Sequence, residues 1–131
     1  MARPSSNYPT DLELEILKVL WQAGPQTVEQ VREALASADR ARQLTHSSVI
    51  TVMNIMVKKK YLERKKVSRA FQYEACVSDT QVNRGMLGDL VDRVFDGSAT
   101  AVMLELLETS DLDADEIKEI RKMISRKANN R

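Results

Sequence analysis

The sequence predicts a mostly α protein: a winged helix-turn-helix N-terminal domain with a small β-hairpin wing over residues 1–77, followed by a helical tail over residues 78–131. Three observations carry this. Thr10, Thr27, Ser78 and Asp113 each stand three positions before a Glu or Gln and ahead of an apolar run, the capping-box signature of a helix start. "YLERKKV" and "AFQYEA", joined by "SRA", alternate with a period of two directly after the third helical segment, as a hairpin should. Beyond Ser78 the pattern returns to helical spacing, with too few apolar residues in each segment to close a core of its own.

The first helix, about Thr10 to Ala23, places Leu12, Ile16, Val19 and Leu20 at helical spacing and ends at "AGP", where Gly24 can take a left-handed cap and Pro25 stops the helix. The second, about Thr27 to Ala38, repeats Val28, Val31 and Leu35, and the polar connection "SADRARQL" leads to the third. There Thr45 is the cap, and Val49, Val52, Met53 and Met56 form a buried stripe. His46, Ser47, Ser48, Ile50, Thr51 and Asn54 fall on the opposite side, none of them a Lys, Arg, Asp or Glu. In the hairpin Leu62 and either Phe71 or Tyr73 point inward, and a short strand at Gln26 and Thr27 would complete the sheet.

In the tail, Val82, Met86, Leu90, Val91, Val94 and Phe95 line one helix, "DGS" breaks it, Val102, Met103, Leu106 and Leu107 line a second, and Ile117, Ile120 and Ile124 a third. Leu90, Val94, Leu106, Leu107, Ile117 and Ile120 form the largest apolar set without a partner in the chain. A second copy is the simplest cover for such a set, so the tail reads as a dimerisation domain.

At 131 residues, 43% hydrophobic and 30% charged, the composition is that of a soluble globular protein. No run approaches the roughly 18 apolar residues of a membrane span, and "MARPSSNYPT" lacks the apolar core of a signal peptide. A cytoplasmic protein with no membrane partner is expected. One cysteine, Cys76, and one histidine, His46, provide neither an internal disulfide nor a metal site, and Cys76 is expected as a buried thiol at a strand end. No nucleophile–base pair and no glycine-rich phosphate loop is present, so neither an enzyme nor a bound cofactor is expected. Trp21 is expected as a packing anchor.

Charge is unevenly spread. Between Arg40 and Tyr73 nine Lys or Arg stand against one acid, Glu63, a local +8 in a chain of net +1, so the remainder carries −7. A helix-turn-helix protein reads base edges with the front of its third helix and holds phosphates with the residues around it. Ser47, Ser48, Ile50, Thr51 and Asn54 suit the first task. His46, Lys58, Lys59, Lys60, Arg64, Lys65, Lys66 and Arg69 suit the second, with Arg69 at the turn where a wing reaches a minor groove and His46 either capping the helix or touching a phosphate. The competing readings are a merely solvated charge run, and a winged-helix protein-interaction module without sequence-specific DNA binding, which would show an acidic or apolar third-helix face and no basic wing.

The stretches "YPTDLELEILKVLW", "PQTVEQVREAL", "LTHSSVITVMNIMVKKKYLERKK", "RAFQYEA" and "LLETSDLDADEIKEIRKMI", in this order and spacing, resemble the penicillinase-repressor family, BlaI/MecI/CopY, over nearly the whole chain. The resemblance implies a homodimeric repressor that occludes promoters by binding palindromic operators with TACA/TGTA-like half-sites. It also implies that Ser47, Ser48, Ile50 and Thr51 occupy base-reading positions. A sensor protease or regulatory protein is the further partner implied by the family's β-lactam branch, which is inactivated by cleavage of an Asn-Phe bond in the tail. Here the matched positions read Glu105 and Leu106. The copper-responsive branch carries a cysteine-rich tail motif, and this tail has no cysteine, so copper sensing is not expected.

Overall fold

The computed structural model describes residues 8–38 and 43–130. Part of the connection between the second and third helices, with Arg40 and Arg42 of the basic stretch, therefore lies outside the described residues. The elements run α1 (Asp11–Ala23), α2 (Val28–Ala38), α3 (His46–Lys58), β1 (Leu62–Val67), β2 (Ala70–Ala75), α4 (Asp79–Val94), α5 (Ala99–Thr109) and α6 (Ala114–Asn129). This is a winged helix-turn-helix followed by three further helices.

All four capping boxes close. The Thr10, Thr27 and Ser78 hydroxyls and the Asp113 carboxylate accept from the backbone N–H three residues on, while Glu13, Gln30, Gln81 and Glu116 reach back to the cap's own N–H. Each box satisfies two N–H groups that the helix cannot pair internally. Thr45 caps α3 in the same position, accepting from Ser48 N–H at 3.1 Å.

α3 ends in a Schellman motif. Lys60 N–H donates to Val57 O and Tyr61 N–H to Met56 O, with Lys60 itself in the left-handed region at φ 68°. Ser68, first residue of the two-residue turn between Val67 and Ala70, has φ 58°, whereas Arg69 is not left-handed. Those φ signs belong to a type II′ turn, whose twist matches that of the strands.

One core unites α1 to α3 and the hairpin: Ile16, Leu17, Leu20, Val31, Val49, Met53, Met56, Leu62 and Tyr73 are almost fully enclosed. On α1 the buried face is rotated from the expected one. Glu13, Ile16, Leu17 and Leu20 are inside, whereas Leu12 and Val19 are only half-buried, because the Glu13 carboxylate is drawn inward. In β2 it is Tyr73 that turns in, and Phe71 is 43% exposed. Gln26 and Tyr73 pair by two backbone hydrogen bonds, so the short third strand exists at Gln26. The Trp21 indole N–H donates to Val77 O at 2.8 Å, fixing the chain as it leaves β2. Cys76 is exposed, not buried; partial desolvation and the carboxylates of Glu63 and Glu74 push its thiol up.

The chain divides into two compact units, Met1–Leu87 and Gly88–Arg131. The division falls inside α4 and not at 77/78, because Val82 and Met86 on its first turns pack onto the winged-helix core. In the second unit, among the described residues, Val102 alone is buried.

Candidate nucleic-acid interface

α3 supplies the reading face. With Val49, Met53 and Met56 fixed in the core, the 100° per residue of a helix puts Ser47, Thr51, Ile55 and Lys58 in one outward row, with Ser48 beside it. All five are exposed. The first turn carries no acidic residue of its own. Thr51 donates its hydroxyl proton to Ser47 O at 2.8 Å, which leaves its lone pairs and its methyl group to face outward. Ile55, 43% exposed, is a member of this row that was absent from the expected reading set of Ser47, Ser48, Ile50, Thr51 and Asn54. The i, i+4 interval from Thr51 was the signal for it. Ile50 is half-buried on the flank that faces the wing.

The cations separate into three kinds. Lys58, Lys60, Lys65, Lys66 and Arg69 are exposed around the end of α3 and along the hairpin, as phosphate contacts require. Arg64 is exposed but organised: its guanidinium lies 4.9 Å from the centre of the Phe71 ring and donates to Asn54 Oδ1 at 3.1 Å. Lys59, itself exposed, is engaged in an ion pair with a buried partner. Its ammonium lies 3.0 and 3.1 Å from the two oxygens of Glu13, a carboxylate only 3% exposed. Leaving Glu13 without a cation would strand a charge in the core.

Asn54 is engaged within the fold as well. Its oxygen accepts from both Arg64 and the Tyr73 hydroxyl, so no acceptor is left for a base. His46 does not cap α3, since Thr45 does; its Nδ1 lies 3.2 Å from Glu29 Oε2 on α2. The Glu29 carboxyl is held at about 2 by hydrogen bonds from Arg32 and then from His46. α2 and the front of α3 are thus linked by a hydrogen bond at the surface. Among the described residues no group of three or more His, Cys, Asp or Glu side chains could hold a metal ion, and no helix is long and apolar enough to cross a membrane.

An outward row of Ser47, Thr51 and Ile55 that ends in Lys58 and is flanked by further cations on a winged helix is a pattern that comparison with known proteins can test. Residues 9–126 match the model of the family described as penicillinase repressor. The chain belongs to that family. A transcriptional regulator, BlaI, of Mycobacterium tuberculosis is 30% identical over 88% of this chain and 81% of its own length. The methicillin resistance regulatory protein MecI of Mammaliicoccus sciuri is 24% identical over 88% and 91%, and a penicillinase repressor of Bacillus licheniformis 22% over 92% and 91%. Among solved structures, RosR of H. salinarum superposes with a TM-score of 0.51 at 17% identity, covering 95% of this chain and 98% of that one. A mutant MarR from E. coli, complexed with operator DNA, gives 0.50 at 15% identity over 90% and 74%. These likenesses are of fold. The family is one of transcriptional repressors and not of enzymes.

The second unit of this penicillinase-repressor family member carries a separate surface. Leu90, Val94, Leu106, Leu107 and Ile117 are exposed and Ile120 is half-buried. Leu106, Leu107 and Ile120 line one apolar groove between α5 and α6 together with Met103, Met123 and Ile124. The last three were absent from the expected set, although their i, i+3 and i+4 spacing to Leu106, Leu107 and Ile120 pointed to them.

Proposed function

We propose that this protein is a cytoplasmic homodimeric repressor that occludes promoters by binding palindromic double-stranded DNA operators with TACA/TGTA-like half-sites. The observation that supports it is the alignment of Ser47, Thr51, Ile55 and Lys58 on the one exposed face of α3, beside a hairpin carrying Arg64, Lys65, Lys66 and Arg69. Hydroxyl and methyl groups in the row meet base edges in a major groove, and the flanking cations meet phosphates and displace counterions. A protein-interaction module would not need that separation of the uncharged Ser47, Thr51 and Ile55 from a cationic rim. The tail presents its apolar groove to a second copy, which sets two reading helices at a fixed spacing.

Titration of a TACA/TGTA duplex and of a scrambled duplex across salt concentrations tests this. If each protomer neutralises about four phosphates, the log–log slope is about −7. Thr51→Ala is expected to cost about 1 to 3 kcal/mol on the palindrome and little on the scrambled duplex. Equal affinity of the native chain for both duplexes refutes sequence-specific reading.

A further inference from the structure

Asn54 lies on the flank of α3 that turns toward the wing, with Tyr73 of β2 and Arg64 of β1 both meeting its Oδ1, at 2.9 and 3.1 Å. A guanidinium has no acceptor, so the atom facing Arg64 must be the amide oxygen. The tyrosine hydroxyl that shares this oxygen must then be a donor. Both lone pairs are used. Tyr73 is itself enclosed: it is 1% exposed and its backbone pairs with Gln26. Arg64 is held from its other side by the Phe71 ring, and its remaining N–H groups are free of Asn54.

We propose that Asn54 is a positioning residue that aims the Arg64 guanidinium at a DNA phosphate, and not a reader of bases. This rests on the reading of Arg64 as a backbone contact given above. The familiar pairing of asparagine with adenine needs the amide oxygen to accept from the base while the amide N–H donates, and here that oxygen is taken. Arg64 is a long side chain with many rotamers to lose. Held by Asn54 at one edge and by Phe71 at its face, it meets the phosphate with that freedom already surrendered. An uncharged residue then governs part of the electrostatic contact. The mark of this is a loss of salt dependence on removing a side chain that carries no charge.

The test uses the full chain and a palindromic TACA/TGTA duplex beside a scrambled one, with salt-dependent titrations of the native protein, Asn54→Ala, Arg64→Ala and the double variant. Arg64→Ala removes one phosphate contact per protomer, so the slope of the dimer is expected to weaken by about two. Asn54→Ala is expected to weaken the slope in the same direction, with like losses on both duplexes, and the double variant to fall no further than Arg64→Ala alone. Should the alanine variant unfold, Asn54→Ser, too short to span the distance to Arg64, gives the same readout. A native slope for Asn54→Ala with a loss confined to the palindrome overturns the proposal and makes Asn54 a base reader. A native slope for Arg64→Ala overturns it too, by removing the backbone role of Arg64, while specificity carried by Thr51 would remain in the palindrome-to-scrambled ratio.

Discussion

The Lys59 ammonium lies 3.0 Å from the Glu13 carboxylate, joining the end of the reading helix to the start of α1 across the core. Glu13 also accepts from the Thr10 N–H at 2.9 Å, so one carboxylate closes a capping box and neutralises a lysine at once. In sequence Lys59 is indistinguishable from Lys58 and Lys60. Only the inward turn of Glu13 separates it from them.

Lys59→Ala and Lys65→Ala are therefore expected to fail in different ways. The first leaves Glu13 enclosed without its cation and costs about 2 to 3 kcal/mol of folding stability, with the salt slope of DNA binding unchanged. The second leaves stability within about 0.5 kcal/mol and weakens the dimer's slope by about two. Urea denaturation beside salt-dependent titration separates them. A weakened slope in Lys59→Ala at native stability would return this residue to the phosphate-binding set.

Lys60 occupies the left-handed position of the α3 cap at φ 68°, where a side chain with a Cβ costs about 1 kcal/mol relative to glycine. Its charge offers a reason to keep it there. Lys60→Gly is expected to raise the denaturation midpoint, by up to about 1 kcal/mol in stability, while weakening DNA binding equally on every sequence. A variant that gains stability and loses no affinity would show that the strain has no such purpose.

Glu29 gives the protein an acid limb with a definite sign. Its folded value, about 2, lies below the ordinary 4.5 because Arg32 and then His46 hydrogen-bond its ionised form. The bridge therefore contributes in full above about pH 4.5 and is lost as pH falls toward 2. Because the groups are exposed the contribution is small. Glu29→Gln is expected to lower stability slightly at neutral pH, where the bridge contributes in full, to flatten the profile between those pH values and to match the native protein near pH 2, measured by thermal unfolding. A native acid limb in the variant assigns the effect to other carboxylates.

The helices and hairpin were legible because their signals are local: four capping boxes, an "AGP" stop and two alternating strands lie within a few residues of what they specify. Pairings across the fold were not. Glu13 with Lys59 spans 46 positions and Tyr73 with Asn54 spans 19, and nothing in periodicity indicates which polar side chain will be drawn inward. The rotated face of α1, the occupied oxygen of Asn54 and the engaged Lys59 all follow from such distant polar contacts. Phe71 and Tyr73 share one face of β2, so alternation could not choose between them. Tyr73 is inside because Gln26 and Asn54 satisfy its backbone and its hydroxyl.

The tail carries the last prediction. Leu106 is 54% exposed and lines the α5–α6 groove with Met123 and Ile124, so an aspartate there removes no buried intrachain contact, while it would place a charge in the middle of a face covered by a second copy. A dimer engages its second half-site at high effective concentration, and losing the dimer forfeits about 10² to 10⁴ in operator affinity without altering any DNA contact. Leu106→Asp, and truncation after Gly97, are therefore expected to sediment as folded monomers in analytical ultracentrifugation and to lose operator binding at physiological salt. The isolated reading unit should keep its palindrome-to-scrambled preference at low salt, since Thr51 and its neighbours are untouched. A Leu106→Asp protein that remains dimeric would place the self-association surface elsewhere on the tail. A monomer that holds the operator as tightly as the native chain would show that association through the tail does not control repression.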